Sequence, residues 1–122
     1  MRRFGDLEAA IMDRFWVRGS PATVREVLTD LRPDRHLAYN TVLTVVDNLF
    51  KKGWLRREPS GRAFRYTPTA TRQEYAARLM RDALDDAGDP AEALVTFVGQ
   101  MSRAEAAALR AALDRRQRRS GR

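Results

Sequence analysis

The stretch that decides the fold of this chain reads AYNTVLTVVDNLFKKG at residues 38–53. Its apolar side chains recur at the spacing of one helix face, namely Val42, Val45, Val46 and Leu49. That period, sustained over about four turns, predicts an α-helix from Ala38 to Lys52. Gly53 comes next, at the position where a glycine in the left-handed conformation commonly ends a helix.

The chain continues as WLRREPSGRAFRYTP at residues 54–68, where the helical period stops. The two short runs 54–58 and 63–67 are typical of extended strands. The four residues between them, Pro59-Ser60-Gly61-Arg62, are turn formers. The stretch therefore predicts a β-hairpin directly after the helix.

Two further helices are predicted before this stretch. The first has an apolar face made of Leu7, Ile11 and Phe15. Asp6 is placed to cap its start, and the run Gly19-Ser20-Pro21 ends it. The second opens with a capping box formed by Thr23 and Glu26 and continues to Leu31.

The order helix, helix, helix, hairpin is that of a winged helix-turn-helix domain, to which we assign residues 1–69. Three more helices are predicted in residues 70–122. Their starts are marked by the Thr71–Glu74 capping box, the Asp89–Pro90 pair and the Ser102–Glu105 capping box. The basic end of the chain, residues 115–122, is expected to fray. The predicted class is mostly α, with a small β-hairpin wing.

The second half carries more apolar side chains than three short helices can hide among themselves. Besides Tyr75 and Leu84, they are Leu79, Leu94, Val95, Phe97, Val98, Leu109 and Leu113. We interpret them as a dimerisation surface, because proteins that bind two-fold DNA sites are commonly two-fold themselves. The alternative is that this half folds back onto the N-terminal core.

Charge and composition also agree with a protein that binds nucleic acid. The formal net charge of the 122 residues is +7, which favours a polyanionic partner such as nucleic acid or an anionic membrane surface. An arginine-rich coding bias is the alternative explanation.

The absence of cysteine and the single histidine exclude disulfides, a zinc–cysteine site and a catalytic relay, so no metal, cofactor or enzyme activity is expected. No apolar run is long enough to span a membrane, and the cytoplasm is the expected location.

The predicted third helix is the candidate reader of DNA, because a major groove accepts one helix and is read by side chains near its N-terminus. The outward positions of its first turns are Tyr39, Asn40, Thr41, Leu43, Thr44 and Asp47. Asp47 would disfavour phosphate, and the other five are the candidate readers. Arg62 and Arg65 of the hairpin are candidates for phosphate contacts. Lys51 and Lys52 either contact phosphate or only complement the helix dipole. The other interpretation of the whole helix surface is a solvated polar face.

These segments together resemble the BlaI/MecI penicillinase repressor family. The likeness is carried by Phe4-Gly5-Asp6-Leu7-Glu8, by Thr41-Val42-Leu43-Thr44, by the run Asn48 to Leu55, by Phe64-Arg65-Tyr66, and by Leu94-Val95 with Phe97-Val98. The resemblance implies a homodimer that binds operator dyads, represses β-lactam-response genes and is cleaved in its dimerisation region after a membrane sensor protease detects the antibiotic.

The family's scissile Asn-Phe pair falls here on Thr96 and Phe97, so the asparagine is replaced. Copper-responsive relatives carry C-terminal cysteines, which this chain lacks. Two other functions remain open at this point. One is a winged helix regulator with another inducing signal, and the other is a winged helix that serves as a protein-interaction scaffold.

Overall fold

The computed structural model describes residues 3–121, so Met1, Arg2 and Arg122, at the ends of the two predicted regions, lie outside the described residues. The elements are α1 (Asp6–Arg18), α2 (Val24–Leu31), α3 (Tyr39–Lys51), β1 (Leu55–Ser60), β2 (Ala63–Pro68), α4 (Arg72–Asp85), α5 (Pro90–Gly99) and α6 (Arg103–Ser120). The chain forms two compact units, with the division at Leu79 and Met80, inside α4. The sequence had suggested a division before that helix.

Helix α1 starts one residue away from the predicted cap. Gly5, not Asp6, is the N-cap residue, and Asp6 is the first residue of the helix. The reason is that the Glu8 carboxylate accepts the backbone N–H of Gly5 at 3.0 Å, three residues before it. The end of α1 agrees with the prediction, since Gly19 adopts a φ of +67° and its N–H reaches the carbonyl of Phe15.

Local hydrogen bonds define the ends of the next two helices. Thr23 and Glu26 form the predicted capping box, with N···O distances of 3.0 and 3.1 Å. At the end of α3, Gly53 has a φ of +90°. Its N–H donates to Phe50, and the N–H of Trp54 donates to the carbonyl of Leu49. This pair of bonds is a Schellman motif, so the predicted glycine stop is confirmed.

The hairpin is present, but its loop is shorter than predicted. Ser60 pairs with Ala63, so only Gly61 and Arg62 form the connection, and Pro59 lies within β1. Gly61 has a φ of +62°, the backbone that the first position of a type II′ hairpin turn requires. The antiparallel sheet also gains a contact that the sequence did not indicate: Ala22, between α1 and α2, exchanges two backbone hydrogen bonds with Tyr66 of β2.

One apolar core joins α1, α2, α3 and the hairpin. Its buried members are Phe4, Ile11, Met12, Phe15, Ala22, Val24, Val27, Leu28, Leu31, Val42, Val46, Leu49, Leu55 and Tyr66. Because each helix contributes residues from a single face, the opposite faces are left to solvent. This arrangement fixes which side of α3 is available to a partner.

The beginning of α4 belongs to this core. Tyr75 stacks on Phe4 with ring centroids 4.2 Å apart, and its hydroxyl accepts the N–H of Phe4 at 2.7 Å. The ring of Trp54 contacts the ring of Tyr75 edge-on. The indole N–H of Trp16 donates to the carbonyl of Ala70 at 2.9 Å. Tyr75 was grouped with the dimerisation surface from sequence; its contacts instead place it in the winged helix domain.

The second unit, from Met80 onward, is purely helical within the described residues. The predicted caps are present: the side chain of Asp89 accepts the N–H of Glu92, and Ser102 and Glu105 form a capping box. Helix α6 extends to Ser120, so the basic end is helical and not frayed as expected. None of the described residues from Met80 onward is buried. No helix in the described part of the chain is long and apolar enough to cross a membrane.

Candidate nucleic-acid interface

Helix α3 has one face in the core and one face exposed to solvent. Its buried side chains are Val42, Val46 and Leu49. The exposed ones are Tyr39, Asn40, Thr41, Leu43, Thr44, Asn48 and Lys51. All five of the residues predicted to read DNA from the first turns therefore lie on one solvent-facing surface. Asn48 continues this surface one turn beyond Thr44, as its spacing from Asn40 and Thr44 indicates, and it was absent from the predicted set.

Polar side chains on this face keep their hydrogen-bonding capacity in different degrees. The hydroxyl of Thr44 donates to the carbonyl of Asn40 at 2.9 Å, so its oxygen remains an acceptor only. The exposed amide of Asn40 has the paired donor and acceptor that match an adenine edge. Leu43, with 37% of its surface exposed, offers an apolar contact of the kind that thymine methyl groups accept.

Tyr39, at the start of α3, is held by a residue that the sequence did not single out. The guanidinium of Arg25, on α2, lies 4.8 Å from the centre of the Tyr39 ring. This distance is within the range of cation–π attraction. The contact brings a cation from α2 to the N-terminal end of α3, which a sequence pattern cannot show because the two residues lie on different helices.

The N-terminus of α3 has no side-chain cap, since Ala38 occupies the cap position. The first backbone N–H groups of a helix have no partner within the helix, and they carry the positive end of its dipole. Uncapped N–H groups at this position suit a phosphate oxygen. The start of α3 therefore combines exposed polar side chains with backbone donors.

Lys51 and Lys52, at the end of α3, both have carboxylate partners. The ammonium of Lys51 lies 2.9 Å from Asp47, one turn back, and that of Lys52 lies 3.1 Å from Glu8 of α1. Both lysines remain more than half exposed, and exposed pairs of this kind contribute only about 0–1 kcal/mol. The pairing thus leaves both cations able to move to a phosphate.

The two predicted wing cations differ in their surroundings. Arg62 lies exposed at the hairpin tip, and the described residues include no ion-pair partner for it. Arg65 lies 2.9 Å from Glu26 and also donates to the hydroxyl of Ser60 at 3.2 Å. Glu26 also faces Arg18 at 3.4 Å. The wing is therefore tied to the start of α2 through Arg65, while its tip charge is free.

Glu26 is the centre of this network. The backbone N–H of Thr23 is the largest influence on its carboxylate and lowers its pKa, and the Thr23 hydroxyl and the guanidinium groups of Arg65 and Arg18 add to the same effect. Across from it, hydrogen bonding to Asp30 raises the pKa of Arg18. The ionised carboxylate of Glu26 is therefore favoured, and it is shared between a helix cap and two cations.

A third arginine of the hairpin lies between two aromatic rings. The guanidinium of Arg57 is 4.1 Å from the centre of the Phe50 ring and 4.2 Å from that of Phe64. Phe50 belongs to α3 and Phe64 to β2, so this contact joins the end of the reading helix to the wing.

The described residues contain no group of three or more histidine, cysteine or carboxylate side chains that could hold a metal ion. A three-helix core with an exposed polar α3 beside a basic hairpin defines a winged helix DNA-binding protein. The penicillinase repressor family model matches residues 4–115, and the chain belongs to that family. As a member of it, the protein is a transcriptional repressor and not an enzyme.

The chain is similar over nearly its whole length to a transcriptional regulator, BlaI, of Mycobacterium tuberculosis. The two are 47% identical over 116 residues, which is 93% of this chain and 84% of the relative. A match of this coverage includes the second unit as well as the winged helix domain.

Two solved structures share the fold of the first unit. One is the solution structure of the DNA-binding domain of the repressor BlaI, with 29% identity, a TM-score of 0.53, and coverage of 62% of this chain and 94% of that one. The other is the monomeric form of Bacillus licheniformis BlaI in complex with the blaP half-operator, with 30% identity, a TM-score of 0.51, and coverage of 61% and 89%.

Proposed function

We propose that this protein is a homodimeric repressor that binds palindromic operators in the cytoplasm through the exposed face of α3 and the wing. The observation that carries the proposal is the surface of α3, whose polar and small apolar side chains face solvent beside the free cation at the wing tip. A similar domain has been solved on half-operator DNA, which supports the same mode of binding here.

In this function the residues divide into readers and phosphate contacts. Asn40 pairs with an adenine edge, Leu43 packs on a thymine methyl group, and Thr41 and Thr44 contact phosphates or methyl groups. Tyr39 reaches a phosphate, supported by the neighbouring arginine. The remaining phosphate contacts are made by Lys51, Lys52, Arg62 and Arg65.

The exposed apolar side chains of the second unit support a dimer. Leu94, Val95, Phe97, Val98 and Leu113 each expose between 46% and 65% of their surface in the single chain. Leu79 and Leu109, which complete the proposed dimerisation surface, are half-buried. Leaving so many large apolar residues in water is costly, at about 25 cal/mol for each Å². A second copy that covers them removes this cost and supplies the two-fold symmetry of an operator.

The proposed targets are β-lactam-response genes, and the proposed release is cleavage at Thr96 and Phe97 by a membrane sensor protease. Both residues lie inside α5, where the hydroxyl of Thr96 donates to the carbonyl of Glu92 at 2.9 Å. The bond between them lies in the last turn of α5, where the N–H of Phe97 is engaged by the preceding turn of the helix. Cleavage at this bond therefore requires α5 to open locally first.

The threonine at position 96 favours a second candidate, a regulator of the same fold with another inducing signal. Treatment of cells with a β-lactam distinguishes the two: a shortened protein, cut after Thr96, supports release by proteolysis. An intact protein whose target genes are nevertheless induced by another stimulus supports the second candidate.

The experiment that tests repression is capture and sequencing of genomic fragments bound by the purified protein at physiological salt. Enrichment of a few promoters that share a two-fold motif supports the proposal. Uniform binding, or none, contradicts it and favours the interaction scaffold. The scaffold is further distinguished by salt, because phosphate contacts make the affinity fall steeply with salt and an apolar protein interface does not.

A further inference from the structure

Helix α6 carries the largest concentration of positive charge in the second unit. From Arg103 to Ser120 it contains six arginines against two carboxylates, those of Glu105 and Asp114. All six arginines are exposed. None of them serves the winged helix domain, the proposed reading surface or the proposed cleavage site, so their charge has no role in the function described so far.

The arginines are not spread evenly around the helix. At about 100° per residue, five of them fall within a half-turn of the helix circumference: Arg103, Arg110, Arg115, Arg118 and Arg119. Leu109 and Leu113 lie on the opposite side. The leucine side and the arginine face of α6 therefore do not overlap, and a dimer that covers the leucines leaves the arginine face in solvent.

The charge of this face is not neutralised within the chain. Among the described residues, no carboxylate lies within 4 Å of any of these guanidinium groups, although Asp114 is on the same face. Apart from Asp114, the side chains between the arginines on this face are alanines, which leave the guanidinium groups accessible. Unpaired arginines at such density repel one another, and the repulsion is relieved only by an anionic partner or by salt.

We propose that the arginine face of α6 is a second DNA-contact surface, which binds the phosphate backbone of duplex DNA without regard to sequence. The inference rests on the proposed function only in that the protein works on DNA. Guanidinium groups bind phosphate through two parallel N–H bonds. The helix is about 27 Å long, and duplex DNA presents about one negative charge for every 1.7 Å of its axis, so several phosphates lie within reach of one helix.

Two other origins of the basic face are less consistent with these observations. A coding bias explains the choice of arginine over lysine, but it does not explain why five arginines share one side without carboxylate partners. Helices that bind an anionic membrane surface carry large apolar and aromatic side chains opposite their cations. Helix α6 has no aromatic residue and offers only two leucines, with alanines, on its apolar side.

The test compares the full-length protein with two variants. In one, Arg110, Arg115, Arg118 and Arg119 are all changed to Gln; in the other, the same four are changed to Lys. Both substitutions have helix propensities close to that of arginine, and the second keeps the charge. Circular dichroism and sedimentation confirm that the helix and the oligomeric state are unchanged, because the four positions lie off the leucine side.

Affinity is measured by fluorescence anisotropy on a random-sequence duplex about four helical turns long, with salt varied from about 50 to about 200 mM. If all four arginines contact phosphate, the Gln variant loses about 3.6 units per protomer from the slope of log affinity against log salt. Across this range the wild-type protein then loses about 100-fold more affinity than the Gln variant for each protomer whose α6 contacts the duplex. The Lys variant keeps the wild-type slope.

Equal slopes for the wild-type protein and the Gln variant would overturn the inference. The inference would also be overturned if the protein bound vesicles of phosphatidylcholine and phosphatidylglycerol more tightly than the duplex at the same salt, and the Gln substitutions abolished the vesicle binding. The partner of the arginine face would then be a membrane. Because the duplex is random, the result does not depend on an operator. Failure to enrich a promoter motif would contradict the proposed repressor and leave this measurement unaffected.

Discussion

Replacing Tyr75 tests whether the beginning of α4 is part of the winged helix domain. Tyr75 is half-buried, stacked on Phe4 and bonded to its N–H. We compare Tyr75→Ala, which removes the ring and the hydroxyl, with Tyr75→Phe, which removes the hydroxyl alone. Gln73→Ala, on the exposed side of the same helix, serves as the control.

The structure sets the size of each effect. Removing a fully buried aromatic ring costs about 3–5 kcal/mol, and partial burial of Tyr75 reduces that to about 2 kcal/mol. The stacked pair contributes about 0.5–1.5 kcal/mol beyond burial, and the hydrogen bond about 1 kcal/mol. We therefore expect Tyr75→Ala to lower the free energy of unfolding by about 4 kcal/mol and Tyr75→Phe by about 1 kcal/mol.

The assay is urea unfolding followed by tryptophan fluorescence, because Trp16 and Trp54 flank the Tyr75 ring. All variants are compared at one protein concentration, since the stability of a dimer depends on it. The control is expected to stay within about 0.5 kcal/mol of the wild-type protein. A Tyr75→Ala variant no less stable than the control would refute the docking of α4 on this core.

Four further changes test the site and the interface. Asn40→Ala is expected to flatten the preference at one base pair of the operator by about 1–3 kcal/mol; selection from a randomised operator library measures it, and an unchanged preference removes Asn40 from the reading set. Arg62→Gln is expected to weaken binding to all sequences about equally and to lower the salt slope by about one unit. The Thr23 N–H and nearby guanidinium groups lower the pKa of Glu26, so the stability that this carboxylate contributes is complete above its ordinary pKa of 4.5 and is lost as pH falls through the folded pKa. In acid unfolding, the stability advantage of the wild-type protein over Glu26→Gln is therefore expected to shrink below pH 4.5. A difference that stays constant with pH would contradict this expectation. Leu94→Asp is expected to give folded monomers in sedimentation, because that side chain is 48% exposed in the single chain, and a persistent dimer places the interface elsewhere.

Most of the helix starts could be predicted because their determinants are local. The boxes at Thr23, Thr71 and Ser102 each join a cap residue to a glutamate three positions later. Such a bond depends on little beyond the local backbone, so the sequence alone specifies it. The Gly53 stop follows the same logic, because the left-handed backbone at that position suits glycine. The wrong cap of α1 shows the limit, since Asp6 and Gly5 compete and the bond from Glu8 decides between them.

The relations between elements could not be predicted in the same way. The Arg65 to Glu26 pair joins positions 39 residues apart, and the bond from Phe4 to Tyr75 spans 71 residues. A pattern read along the chain identified Arg65 as a basic wing residue and Tyr75 as a surplus apolar one. It could not show that Arg65 shares a carboxylate with Arg18, because only the packing of the hairpin against the helices brings these groups together.

In the proposed function, dimerisation through the second unit and binding to the operator are linked equilibria. None of its described side chains is buried within the single chain, so its helices depend on a partner copy to hide Leu94, Val95 and Leu113. Joining two half-site readers raises their apparent affinity by about 10²–10⁴ without any new contact to DNA. A cut after Thr96 would separate Leu94 and Val95 from Leu113, and the resulting monomers would lose that factor. Any other signal that opens the same surface would have an equal effect, because α3 itself need not change for the operator to be released.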